Sequence, residues 1–183
     1  MKKHILLSLL TLSVNITLFA QEINWITVEE AVELQKKNPK KIIMDVYTNW
    51  CGPCKMLDKN TFGNTDVAKY INDNFYAIKF NAEGNTTVKF EGNTFTNPDY
   101  NPDKINTRNA KHQFARYLSV NAYPTMVFFD DEFKLISPIS GYLLPKQLEI
   151  YLKLFTSNKY KEVKTKEEWE TYQIGRASCR ERV

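Results

Sequence analysis

The sequence predicts an α/β domain with a mixed central sheet and helices on both faces. Three observations carry this. Lys41–Tyr47 is a near-continuous apolar run holding Ile42, Ile43, Met44, Val46 and Tyr47, as in a strand covered on both sides. Strand-like runs alternate with segments whose apolar residues recur at helical spacing. The chain then finishes in a hairpin pattern followed by an amphipathic helix.

The elements follow in order. Thr27-Val-Glu-Glu30 matches a capping box, with Thr27 as N-cap and Glu30 reaching back. Val28, Ala31, Val32 and Gln35 continue the helix, and Asn38-Pro39 stops it. After the strand at 41–47, Trp50-Cys51-Gly52-Pro53-Cys54 opens a long helix through about Asn72, kinked or interrupted near Gly63-Asn64. Phe75–Asn81 is a second short apolar strand. Glu83–Asn106 is rich in Asn, Gly, Thr and Pro, and Val88–Phe90 with Thr94–Thr96 reads as a hairpin around Glu91-Gly-Asn93. A loop of this length is either functional or a tolerated surface insertion. Ala110, Phe114, Tyr117 and Leu118 mark another helix, on whose surface His112 is expected. Thr125–Asp130 and Phe133–Ile139 pair as a hairpin through Asp130-Asp131, and Pro145 starts a helix with Leu148, Tyr151, Leu152 and Phe155 on one face. Thr165-Lys-Glu-Glu168 offers a further helix start.

Both ends are set apart from this domain. Met1–Ala20 opens with Lys2 and Lys3, continues apolar from Ile5 to Phe19 and ends on a small residue, the pattern of a secretory signal cut near Ala20. The run is short for a membrane span of ~20 apolar residues, though a retained anchor is the other reading. Ile174–Val183 reads like translated sequencing-adapter DNA and is expected to be non-native, a genuine polar tail being the other reading. The domain then runs over 21–157, with a polar extension at 158–173. The net charge of +4 comes from +2 in the first twenty residues and +2 in the last ten, so residues 21–173 sum to zero. The basic balance is therefore no argument for a nucleic-acid or anionic-lipid partner.

Cysteine usage points to chemistry. Cys179 lies in the suspect tail, which leaves Cys51 and Cys54 as a pair with no other cysteine to staple to. At a helix start, unpaired N–H groups and the helix dipole favour a thiolate, lowering the pKa of Cys51 below the free value of ~8.5. Cys51 is then the attacking sulfur, and is expected to be exposed. Cys54, one turn on, can resolve a mixed disulfide. Pro53 fits the first helical turn and Gly52 keeps the approach open. The alternative is half of a zinc site, for which the domain offers only His112 besides acids. Asp45 is a carboxylate amid apolar neighbours, so burial should raise its pKa.

Over about residues 25–156 the chain resembles the thioredoxin family. The resemblance rests on Trp50-Cys-Gly-Pro-Cys54, on Asp45 six residues before the first Cys, on Lys79-Phe-Asn81, on Tyr123-Pro124-Thr125 and on Gly141 before the Pro145 helix. It implies a thioredoxin fold with an insertion, 83–106, before the third helix. It implies that Asp45 manages the proton of Cys54, that Lys79 offsets the Asp45 charge, and that Tyr123-Pro124 is a cis peptide whose backbone pairs with extended substrate. Trp50 would shield the dithiol and contact substrate beside Gly52 and Pro53. Tyr47 stands where many members have Trp, and the insertion is the larger departure. The expected activity is reduction of protein disulfides by an exported, periplasmic or extracytoplasmic monomer. It would use no metal and no organic cofactor, and a membrane thiol-shuttle protein would supply electrons. Gly-Pro between the cysteines resembles reducing members more than strong oxidases. A disulfide oxidase or isomerase, and a non-catalytic peptide-binding or chaperone module using the proline groove, are the other readings.

Overall fold

A five-stranded mixed sheet organises the chain, with a separate two-stranded hairpin lying in sequence between the third and sixth strands. The computed structural model describes residues 21–180; the expected signal segment and the last three residues of the tail lie outside the described residues. The strands are β1 (Trp25–Ile26), β2 (Lys41–Tyr47), β3 (Phe75–Asn81), β4 (Val88–Phe90), β5 (Asn93–Phe95), β6 (Thr125–Phe129) and β7 (Leu135–Ser140). The helices are α1 (Val28–Lys37), α2 (Gly52–Leu57), α3 (Thr65–Asn74), α4 (Gln113–Tyr117), α5 (Pro145–Thr156) and α6 (Lys166–Arg180). In the sheet order β1-β3-β2-β6-β7, the strands β1, β3 and β2 run parallel, and β6 and β7 complete the sheet antiparallel. Among the described residues no helix is long and apolar enough to cross a membrane.

Side-chain alternation along β2 divides the core. Ile42, Met44 and Val46 join Val28, Ala31, Phe80 and Phe114 on the face covered by α1 and α4. Ile43 joins Leu57, Ile71, Phe128, Leu148 and Phe155 on the face covered by α2, α3 and α5. The period of two then places Asp45 on this second face, beside Ile43 and under α2.

β2 and β3 occupy the residues read as strands, and α1 carries both halves of its capping box: Thr27 Oγ1 accepts the Glu30 N–H and Glu30 Oε2 accepts the Thr27 N–H. The helix after the dithiol is broken, as the Gly63-Asn64 pair suggested, and the break is wider than a kink. A π-turn, Asp58–Phe62, follows α2, and α3 restarts with Asn64 as N-cap, its Oδ1 accepting the Asp66 and Val67 N–H groups at 3.1 Å. Gly63 fits this junction because a Cβ there would lie 2.6 Å from the Lys59 carbonyl oxygen.

Other boundaries differ from the sequence reading. The two-residue strand β1 is too short to show a period and exists by pairing with Ala77 and Ile78. The hairpin turn is Glu91-Gly92, both at positive φ, so β5 begins at Asn93 rather than Thr94. β6 ends at Phe129, and Phe133, at φ 62°, belongs to the turn before β7. α4 is five residues long and leaves Ala110 outside. His112 is fully buried rather than on the surface: its Nδ1 caps α4 by accepting the Phe114 N–H at 3.0 Å, and its Nε2 donates to the Thr86 carbonyl at 2.7 Å. Both ring nitrogens are satisfied internally, and burial holds its pKa down. The segment after α5, polar in composition, packs Trp169 on Tyr151 at 5.0 Å and joins the second core face.

The Asn64 cap is testable. Asn64→Ala should cost about 1 kcal/mol in urea unfolding and Asn64→Asp should restore most of it. Equal stability for all three chains would mean that the π-turn, not the cap, sets the break.

Candidate functional site: a buried disulfide over an acid–lysine–acid cluster

Cys51 and Cys54 form a disulfide at the start of α2. β2 ends at Tyr47, the Thr48 carbonyl accepts the Cys51 N–H at 3.2 Å, and Cys51 becomes the N-cap. Its Sγ accepts the Cys54 N–H at 3.2 Å, so a helix-end donor is aimed at the sulfur expected to carry negative charge during exchange. Pro53 sits in the first turn without sacrificing a hydrogen bond, and a Cβ on Gly52 would meet nothing within 4 Å. The expectation of an exposed Cys51 is corrected: it is 2 % accessible and Cys54 3 %. In the disulfide the Cys51 sulfur points to its partner and to the helix end rather than outward.

Beneath the pair lies Asp45, 1 % accessible. Parallel register sets Asp45 beside Lys79 across β2 and β3, with Lys79 Nζ 3.5 Å from Asp45 Oδ2. Lys79 also donates to Asp58 Oδ1 and lies over the rings of Trp25 and Tyr47, at 5.0 and 5.2 Å. Burial pushes the Asp45 carboxyl up to about 7; Lys79 pulls it back, and the charge of Asp58 pushes it further up. Asp45 Oδ1 and Thr48 Oγ1 are buried without a hydrogen-bond partner inside the protein. Two buried oxygens without partners, three positions apart in sequence, are costly. Thr48, Cys54 and Asp58 line one shallow cleft with Asn49, Lys55 and Asn106.

Trp50 is fixed on three sides. Its Nε1–H donates to Glu83 Oε2 at 2.7 Å, its ring meets Tyr123 edge-on at 6.1 Å, and the Arg108 guanidinium lies 4.9 Å from the ring centroid. The Tyr123–Pro124 peptide is cis, and the Pro124 carbonyl accepts the Gly141 N–H at 2.8 Å. Burial and the nearby Glu83 charge push the Tyr123 phenol up to about 12, so it stays protonated. The structure thus gathers Cys51, Cys54, Trp50 and Tyr123 at one end of the sheet, with Asp45 and Lys79 below. Asp58, Thr48, Glu83 and Arg108 were not singled out from sequence. Asp58 alone left a readable signal, four residues after Cys54 and so on the same helical face. Among the described residues no group of three His, Cys, Asp or Glu side chains gathers to hold a metal.

This architecture matches a known family. The model of the thioredoxin-like domain covers residues 28–156, and the chain belongs to that family. Among curated proteins it is 27 % identical over 127 residues to a thiol:disulfide interchange protein, DsbD, of Photorhabdus laumondii, and 25 % identical over 122 residues to its namesake in Pectobacterium atrosepticum. These alignments take in 68 % and 66 % of this chain but only 18 % and 17 % of those proteins, so the chain spans less than a fifth of their length. Among solved structures it resembles a DsbH oxidoreductase (TM-score 0.54, 16 % identity, 75 % of this chain and 87 % of that one). It also resembles a thioredoxin-fold protein of Helicobacter pylori (TM-score 0.55, 20 % identity, 78 % and 87 %). At those identities the likeness shows the fold.

The raised Asp45 pKa makes stability depend on pH with a definite sign. The folded value lies above the ordinary 3.8, so stability is full below about pH 4 and is lost as pH rises to about 7. Asp45→Asn should remove that loss. Its gain over the parent in urea unfolding should grow from near zero at pH 4 to at most on the order of 4 kcal/mol at pH 8. Parallel pH profiles for the two chains would contradict the assignment.

Proposed function

We propose that the protein is an exported thiol–disulfide oxidoreductase that reduces disulfides in polypeptides. The observation that carries this is the Cys51–Cys54 disulfide at the head of α2, with a buried, proton-holding carboxyl beneath it. In the reduced protein the Cys51 thiolate attacks a substrate sulfur, and the other substrate sulfur leaves as a thiolate. Cys54 then attacks the Cys51 sulfur of the mixed disulfide and releases the second substrate sulfur. Two electrons pass from the dithiol to the substrate, and Cys51–Cys54 is left oxidised. Asp45, near neutrality, can take the Cys54 proton as that thiol becomes a nucleophile. Neither a metal nor an organic cofactor is needed for this cycle.

The Gly-Pro spacer favours the reducing direction, and the signal-like first twenty residues favour action outside the cytoplasm. The curated relatives are named as interchange proteins, which supports exchange with other thiol proteins. A reductase in an oxidising compartment must be re-reduced, so a membrane thiol-shuttle protein is the proposed donor. The working form would be a monomer.

The reduction potential tests direction. Equilibration against a glutathione series should return a value near the ~−270 mV of thioredoxins; a value of ~−180 to −120 mV would assign disulfide formation or shuffling instead. Cys51→Ser should abolish insulin-disulfide reduction, and retained turnover would refute the assignment of the nucleophile.

A further inference from the structure

The insertion is built against the dithiol motif. It leaves the sheet after β3, and its hairpin docks on α1, where the Lys89 N–H donates to Glu29 Oε1 at 3.1 Å. It then returns toward the motif as a braced loop. The Asn97 amide spans the Gly84 and Ala110 carbonyls at 2.9 and 2.7 Å. Asn101 and Asn109 exchange two hydrogen bonds, at 3.0 and 2.7 Å. Glu83 Oε2 accepts from both Trp50 Nε1 and the Asn109 N–H, at 2.7 and 2.8 Å. The loop tip meets the chain just before the motif, where Asn49 Nδ2 donates to the Ile105 carbonyl at 2.9 Å.

Two properties of this tip are unspent. Ile105 is 53 % accessible, a large aliphatic side chain held in water beside a reactive disulfide. Arg108 lies over Trp50, and among the described residues no carboxylate lies within 4 Å of its guanidinium. Rigid bracing of a loop that exposes an apolar group and an unpaired cation is what a preorganised contact surface requires, since ordering is completed before the partner arrives. Compact loops of this kind often carry function.

We propose that residues 104–108 form a docking ridge for the polypeptide flank of the disulfide substrate, selecting an apolar side chain next to an acidic one. This rests on the reading of the site as one for exchange with polypeptide disulfides. Ile105 supplies the apolar contact, and Arg108 the charge that an aspartate or glutamate of the substrate completes. Trp50 lies between the ridge and Tyr123, so the substrate chain passes over it with the ridge on one side and the cis-proline turn on the other.

Two cystine-bridged peptides provide the probe, one with its cysteines flanked by Leu and Glu, the other by Ser and Lys. The reduced protein is mixed with each, and the ratio of second-order rate constants is read, so that any general loss of activity cancels. The parent should favour the Leu/Glu peptide by about tenfold, the combined scale of one aliphatic contact and one exposed ion pair. Ile105→Ser should reduce that ratio to about threefold. With a third peptide flanked by Leu and Lys, Arg108→Glu should turn the parent's preference for Leu/Glu over Leu/Lys, about threefold, round to favour Leu/Lys, which loss of folding cannot do. Equal rates of the parent with the Leu/Glu and Ser/Lys peptides, or a Leu/Glu to Leu/Lys ratio untouched by Arg108→Glu, would overturn the ridge while leaving the exchange chemistry intact. Failure to reduce either peptide, and 2-hydroxyethyl disulfide as well, would remove the exchange reading and the ridge with it.

Discussion

A carboxyl group buried under a disulfide is the constraint on which the rest of this site depends. Asp45 could not stay in the β2 core unaided, because an unpaired buried charge is costly. The parallel register answers this by setting Lys79 beside it. Lys79 must itself be held, and its partners come from three parts of the chain. Trp25 lies on the edge strand β1, Tyr47 at the end of β2, and Asp58 at the start of the π-turn after α2. The short edge strand and the broken helix, which look like irregularities, are thus the elements that close the cluster. Because burial disfavours its charge and Asp58 shares Lys79, Asp45 is only partly neutralised and its carboxyl is pushed up to about 7.

What could be read from the chain alone follows from the range of each signal. β2, β3 and the cap of α1 are local: an apolar run or a four-residue motif contains all the information. The fold class follows from such elements, the dithiol from its spacing and the lack of other cysteines, the burial of Asp45 from its apolar neighbours, and the roles of Asp45, Lys79 and Tyr123-Pro124 from motif resemblance. The misses are non-local. β1 is a strand because β3 lies beside it, and α4 starts where it does because the His112 ring is gripped by Thr86, twenty-six positions away. His112 looks like a surface residue by composition, since nothing in its neighbours announces that both ring nitrogens will find backbone partners. Glu83 and Arg108 reach Trp50 from a segment whose composition says only loop.

That segment is coupled to the chemistry through a single carboxylate. Glu83 Oε2 receives N–H groups from the motif, at Trp50, and from the returning loop, at Asn109. Hydrogen bonds to an ionised oxygen are about twice as strong as neutral ones, so the indole orientation and the loop position are set together. A deletion of the insertion would therefore not isolate its role: it would take Glu83 from Trp50, strip Arg108 of the loop that positions it and change the surroundings of the disulfide at the same time. Substitutions confined to the loop tip act differently. Ile105 is tied to Asn49, the residue before the motif, through its backbone carbonyl, which any residue supplies, while the residue is 53 % accessible. The geometry of the dithiol is thus insulated from the identity of the side chain at 105.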